Sequence, residues 1–186
     1  MVKPFEVEAR FLVDERFLEK LLSMGFKVIR EYAFTDYFYE PPSGWKGNKA
    51  LRIRDWGNSC EVLFDSIDVI ETNGIKVKRS KFKEGKVKLY EGSRKECEKL
   101  LEEMEFQRKF VIEKERGYLL NNGRYTVALE RILGKWVLEV EVNGEDLEKA
   151  VSEMKRIMRE LGLERPVATT TRELVKILES EGRPLR

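Results

Sequence analysis

The chain has 186 residues, enough for one substantial core, and its 41% hydrophobic content excludes wholesale disorder. Charged residues reach 38%, yet 36 Lys and Arg against 34 Asp and Glu leave a net charge of only +2, so nothing global argues for nucleic-acid binding. Histidine is absent, which removes imidazole bases, Ser–His triads and His-ligated zinc together and leaves any catalysis to carboxylates, amines, guanidiniums, hydroxyls or metal-bound water.

Residues 1–4 lead into a strand pattern without an apolar signal segment, and no run approaches the roughly eighteen apolar residues of a membrane span. A cytoplasmic protein with no membrane partner is expected. Cys60 and Cys97 are expected to be free, inert thiols in a reducing compartment.

In residues 5–11, Phe5, Val7, Ala9 and Phe11 alternate with Glu6, Glu8 and Arg10, which predicts a strand with one apolar and one charged face. Asp14 is placed to cap a helix over residues 15–24 that Gly25 stops. Residues 26–40 read as an aromatic-rich strand ended by Pro41-Pro42. Strands follow over 49–55, with Arg52 and Arg54 opposite Leu51 and Ile53, and over 60–71. Asn73-Gly74 is a hairpin signal. Basic strands are expected over 75–82 and 86–90, and a helix over 93–105 with Cys97, Leu100, Leu101 and Met104 on one stripe. Residues 110–120 and 124–132 flank the Asn121-Asn122-Gly123 turn, and 135–142 is a further strand. Gly144-Glu145-Asp146 opens a long amphipathic helix running to about 161, stopped by Gly162, and a last helix spans about 171–179. The Asn-Gly turns argue for antiparallel pairing, hence α+β in a single domain over 1–186.

Charge recurs at period two on several strands. Glu6, Glu8 and Arg10 share a face, as do Arg52 and Arg54, Lys114, Arg116 and Tyr118, and Glu139 and Glu141. Taken singly, each is a solvated sheet face. Together on a closed sheet they would line a cavity with both signs. Arg and Lys suit a polyphosphate. Glu-x-Glu sets two carboxylates about 6–7 Å apart on one side of a strand, which suits Mg²⁺ or Mn²⁺. The basic run over 76–88 has only Phe82 as an interleaved aromatic and reads as a solvated or tunnel-lining strand pair rather than a nucleic-acid patch. Trp45 reads as packing over a rim rather than as a stacking lid, and Thr169-Thr170-Thr171 as a helix N-cap region whose hydroxyls could also reach a phosphate.

The ordered set resembles the CYTH, or triphosphate tunnel, family. Glu6-Val7-Glu8-Ala9-Arg10 stands for its Glu-x-Glu-x-Lys strand, Thr35-Asp36-Tyr37-Phe38 for its Asp-x-Tyr strand and Leu51-Arg52-Ile53-Arg54 for its Leu-Arg-x-Arg strand. Lys114-Glu115-Arg116-Gly117-Tyr118, Ala128-Leu129-Glu130 and Gly134 through Glu139-Val140-Glu141 follow in order. The resemblance implies an eight-stranded antiparallel β-tunnel with a charged interior and helices packed outside. It implies Mg²⁺ or Mn²⁺ on Glu6, Glu8, Glu130, Glu139 and Glu141, and a triphosphate or nucleotide bound by Arg10, Arg52, Arg54, Lys81, Lys114 and Arg116. Glu6, Glu8 and Arg10 are the expected catalytic residues.

Metal-dependent hydrolysis of a triphosphate-bearing substrate is the expected reaction. Cyclisation of ATP to cyclic AMP and pyrophosphate, and binding without turnover, are the alternatives. A homodimer is compatible with the resemblance. Arg10 stands where the family has Lys, and Asp65, in Val62-Leu63-Phe64-Asp65, stands where it has a cation. A charge swap between Asp65 and Lys81/Lys83 is one expected explanation.

Overall fold

The structure, a computed structural model, describes residues 5–72, 75–168 and 170–181. Its strands are β1 (Phe5–Val13), β2 (Lys27–Glu40), β3 (Asn48–Asp55), β4 (Cys60–Thr72), β5 (Ile75–Ser80), β6 (Val87–Gly92), β7 (Gln107–Asn121), β8 (Thr126–Ile132) and β9 (Lys135–Gly144). Its helices are α1 (Phe17–Ser23), α2 (Arg94–Glu103), α3 (Leu147–Glu160) and α4 (Thr171–Glu181). Hydrogen-bonded neighbours run β3-β2-β7-β8-β9-β1-β5-β4, and β4 pairs back to β3. Eight strands thus close into the expected antiparallel β-barrel, with the helices outside it and β6 attached to β4. The expected Asn73-Gly74 hairpin lies outside the described residues. None of the described helices is long and apolar enough to cross a membrane.

The chain forms two compact units. The first comprises Met1–Ala33, Ile70–Lys78 and Lys114–Arg186. Its core is the apolar parity of β1, β5, β8 and β9: Val7, Ala9, Ile75, Val77, Val127, Leu129, Leu138 and Val140. Phe17 and Leu21 of α1 and Ala150, Val151, Met154 and Ile157 of α3 join this core. Each such fully buried Val, Leu or Ile contributes about 1.5–3 kcal/mol. Because side chains alternate on a strand, a core on one parity commits the other parity, with its Glu and Lys residues, to the opposite face. Asp146 caps α3 by accepting from the Lys149 amide at 3.2 Å. Asp14 instead bonds the Arg16 amide at 2.8 Å, and Arg16 is the N-cap of the shorter α1.

The second unit comprises Phe34–Val69 and Arg79–Glu113. Tyr39, Leu51, Ile53, Cys60 and Val62 pack with Cys97 and Leu101 of α2. Trp45 joins this cluster as expected of a packing residue, tilted against Phe64 and Phe106. Met104 does not complete the predicted stripe, because it is the C-cap of α2 and stays exposed. Both cysteines are buried thiols, and burial foremost, with Asp55 beside it, pushes Cys60 up to about 12.

Candidate metal centre and a paired-arginine face

In the first unit, β1 lies between β9 and β5. Its register sets Glu8 opposite Glu141 and Arg10 opposite Glu139 on one side, and Glu6 opposite Lys78 and Glu8 opposite Lys76 on the other. All seven side chains leave the core parity and share one face. The Arg10 guanidinium donates to Glu8 at 3.1 Å, to Glu139 at 3.2 Å and to the Thr171 hydroxyl at 3.1 Å. Lys78 Nζ lies 2.7 Å from Glu8 and 3.5 Å from Glu6.

Glu8, Glu139 and Glu141 each offer a carboxylate oxygen, and these oxygens lie within 4.8 Å of one another. Two trans oxygens on Mg²⁺, each about 2.0–2.1 Å from the ion, are separated by roughly 4 Å. Small side-chain adjustments would therefore close the group on one hard cation. The electrostatics point the same way. Burial, then the neighbouring Glu6 carboxylate and a hydrogen bond with it, push the Glu141 carboxyl up to about 7. A cation placed among these oxygens would oppose that shift. The donor set is all oxygen, which fits Mg²⁺ or Mn²⁺ rather than a soft metal.

Burial works against the charge on Arg10, but Glu139 and Glu8 outweigh it and hold the guanidinium protonated above its ordinary range. Arg10 therefore serves as a fixed cation and not as a proton acceptor. The same chain segment is pinned through the backbone: the Arg10 amide donates to the Ala168 carbonyl at 3.2 Å, and the Val167 amide donates to the Arg10 carbonyl at 2.9 Å. The hydroxyl of Thr171, at the start of α4, thus meets Arg10, while the Thr170 hydroxyl accepts from the Glu173 amide at 3.1 Å.

Glu130, 2% exposed, stands apart from the three clustered acids. Its Oε2 accepts from Lys114 at 2.8 Å and from the Tyr32 hydroxyl at 2.7 Å. Gly117 lies opposite Glu130, and a Cβ there would come within 2.3 Å of the Tyr32 ring, so the glycine lets that ring reach Glu130.

Arg116 does not join the site. Lys114 and Arg116 were expected on one face, but Glu115 and Arg116 are both exposed, so the two-residue alternation breaks between 114 and 116. Arg116 pairs with the exposed Glu31 at 2.8 Å and lies over the Tyr118 ring.

In the second unit, Asp36 on β2 is opposite Arg54 on β3, and Phe38 is opposite Arg52. Arg54 donates to both Asp36 oxygens at 2.9 Å, and Arg52 donates to one at 3.3 Å. Aromatic rings flatten against both guanidiniums: Phe34 lies 4.1 Å from Arg54 and Phe38 lies 4.9 Å from Arg52. Burial foremost lowers Arg52 against the attraction of Asp36. Its Nε–H is buried without a partner among the described residues. An unmade bond on a buried charged donor is costly, and an anion would satisfy it. Lys81, by contrast, is exposed and faces Asp68 at 3.9 Å. Asp65 accepts from the Ser80 hydroxyl at 2.7 Å.

Sequence reasoning overlooked Asp36 as the acid that pins both arginines, Tyr32 as the partner of Glu130, and the pair Lys76 and Lys78. The lysines carried a usable signal, since they alternate with Ile75 and Val77 as Glu6 and Glu8 do with Val7 and Ala9.

Comparison with known proteins bears on the fold and the family. No curated protein matches the chain significantly. Among solved structures, PH1012 of Pyrococcus horikoshii superposes with a TM-score of 0.71 at 20% identity, covering 91% of this chain and 98% of that one. PH1819 of the same organism gives 0.69 at 22% identity, covering 94% and 99%. HpAC1 of Hippeastrum, a candidate adenylyl cyclase described as having a dominant triphosphatase activity, gives 0.62 at 15% identity, covering 98% and 97%. At these identities the likeness shows the fold. A family model described as CYTH domain matches residues 4–171, running through both units and every strand, and its members bind triphosphate or nucleotide substrates. The chain belongs to the CYTH family.

Proposed function

We propose that the protein is a metal-dependent hydrolase of a triphosphate-bearing substrate. The observation that carries this reading is the Glu8, Glu139 and Glu141 group, whose oxygens lie within 4.8 Å and whose Glu141 carboxyl is pushed up by burial and then by its acidic neighbours. These three residues, with Glu6 bonded to Glu141, would hold Mg²⁺ or Mn²⁺. The ion would supply Lewis-acid stabilisation of phosphoryl oxygens and an activated water. The chain's own groups do the rest. Arg10 and Lys78 hold the carboxylates in place and moderate their mutual repulsion. In the first unit Lys114 is the proposed phosphate ligand; in the second, Arg52 and Arg54 form an anion-binding face of their own, Arg52 through its Nε–H, which has no partner among the described residues.

Hydrolysis is favoured over cyclisation because it needs no nucleoside pocket and no base for a ribose hydroxyl, and the dominant triphosphatase activity described for the Hippeastrum relative is consistent with it. The test is a phosphate-release and cyclic-nucleotide screen over tripolyphosphate, thiamine triphosphate and ATP, with and without Mg²⁺ or Mn²⁺. Metal-dependent phosphate release that Glu6→Gln diminishes is the expected result. Cyclic AMP from ATP without phosphate release would replace hydrolysis by cyclisation. Tight triphosphate binding without any turnover would reduce the protein to a binding module.

A further inference from the structure

The resemblance places Glu130 among the metal ligands, but its carboxylate is taken up by two other residues of the first unit. One oxygen, Oε2, accepts from Lys114 at 2.8 Å and from the Tyr32 hydroxyl at 2.7 Å. Both donors converge on an acid that is buried. Tyr32 precedes Thr35-Asp36-Tyr37-Phe38 and belongs to none of the segments that carry the resemblance.

Two observations set Tyr32 apart from an ordinary covered tyrosine. Residues 27–31 of β2 are exposed in succession, and Tyr32 is the first after them to be partly covered. A phenol so near the solvent could bond water, yet this one reaches inward to a buried carboxylate. The neighbouring strand also makes room for it. A Cβ at Gly117 would overlap the Cδ2, Cε2 and Cζ atoms of the Tyr32 ring. Gly117 does not have the left-handed backbone that would call for glycine. The missing side chain at 117 therefore serves the ring that lies against it.

A lysine ammonium rides on a flexible stem and takes its place from what it bonds. A carboxylate held by one ammonium alone can turn with it, and a second donor on the same oxygen fixes that oxygen. The phenol is neutral, so it fixes Glu130 without adding a competing cation. We infer that Tyr32 is a positioning residue for substrate binding. Its hydroxyl fixes the Glu130 carboxylate, and Glu130 sets the Lys114 ammonium where it meets a phosphate oxygen of the oligophosphate chain. The inference rests on the metal-dependent triphosphate reading, and it gives Glu130 to the lysine rather than to the metal.

The test measures kcat and KM for tripolyphosphate with Mn²⁺, Mn²⁺ affinity without substrate, and melting temperature. Tyr32→Phe keeps the ring and removes only the hydroxyl. It is expected to raise KM about tenfold, the loss of one hydrogen bond to a charged group, with kcat and Mn²⁺ affinity equal to wild type. Gly117→Ala displaces the ring and should raise KM to the same extent. Tyr32→Ala/Gly117→Ala should match Tyr32→Ala, because the ring is what the added methyl strikes. Tyr90→Phe, which removes an exposed phenol bond to Glu96, should match wild type. A Tyr32→Phe protein with wild-type KM overturns the inference, and a lowered melting temperature beside it would mark the tyrosine as structural. A Tyr32→Phe protein that loses Mn²⁺ affinity overturns it too, by returning Glu130 to the metal. If wild type releases no phosphate, the hydrolase reading falls on its own, and the dissociation constant for tripolyphosphate replaces KM in the same comparison. Equal binding by wild type and Tyr32→Phe then overturns the inference as well.

Discussion

In the first unit, Glu6, Glu8, Glu130, Glu139 and Glu141 share a strand face with Arg10, Lys76, Lys78 and Lys114. In the second, Arg52 and Arg54 share the single buried carboxylate of Asp36. Both faces arise from the same rule, an apolar parity committed to a core and a charged parity left opposite it. They end in opposite electrostatic conditions. Among the carboxylates, Glu141 is driven toward its protonated form, so a proton stands where a cation would be preferred. Among the guanidiniums, Arg52 keeps a buried donor unmade, so an acceptor is missing. Neither condition is what a face selected for stability alone would show, and each names the sign of the ligand that would relieve it.

The carboxylate face is tested most severely by Glu8→Gln. Outer-shell changes around metals cost about 10–100-fold, so removing a proposed ligand should lower metal affinity and turnover by more than about 100-fold. Manganese titration and phosphate release check this. Unchanged metal affinity would show that the acids serve only as partners of Arg10 and Lys78.

The arginine face is broken by Asp36→Asn. Two guanidiniums would then share an uncharged amide in place of the carboxylate that now lies between them. Losing one partner of a buried ion pair costs about 3–5 kcal/mol, and the low end applies because the amide oxygen still accepts a bond. Urea unfolding measures the loss. Added tripolyphosphate should return part of it if the arginines bind phosphate.

A third prediction contrasts the faces through pH. The Glu141 carboxyl is raised in the folded protein from an ordinary 4.5 to about 7. Its contribution to stability is therefore complete below the ordinary value and lost as pH rises toward 7. Metal-free wild type should lose stability across that window, and Glu141→Gln should lose less. Metal affinity should rise through the same window, because the proton must leave before the oxygen can ligate.

The smallest effect is expected of Arg116→Ala, which breaks an exposed pair with Glu31. The urea midpoint and KM should both match wild type, since exposed pairs contribute little. A raised KM would place Arg116 back among the phosphate ligands.

Most of the barrel was legible because period-two alternation is a local property of the chain. Glu6, Glu8, Glu139 and Glu141 emerged by that rule, and the register then set Glu8 beside Glu141. What alternation cannot convey is where it breaks. Lys114 and Arg116 look equivalent in sequence, yet one reaches buried Glu130 and the other reaches Glu31. Nor does it convey which charge engages which. Asp36, Tyr32 and Lys78 owe their roles to partners on other strands, and Thr171 meets Arg10 across 161 positions of chain.

The most direct test is Mn²⁺ binding to wild type and to Glu139→Gln at pH 6 and pH 8, followed by the resonance of the free ion, with tripolyphosphate turnover measured before and after chelation. Wild type should bind Mn²⁺, more tightly at pH 8, and lose turnover on chelation, while Glu139→Gln should leave the ion free. Wild type that leaves all Mn²⁺ in solution and turns over tripolyphosphate equally well in chelator would contradict a metal centre on these carboxylates.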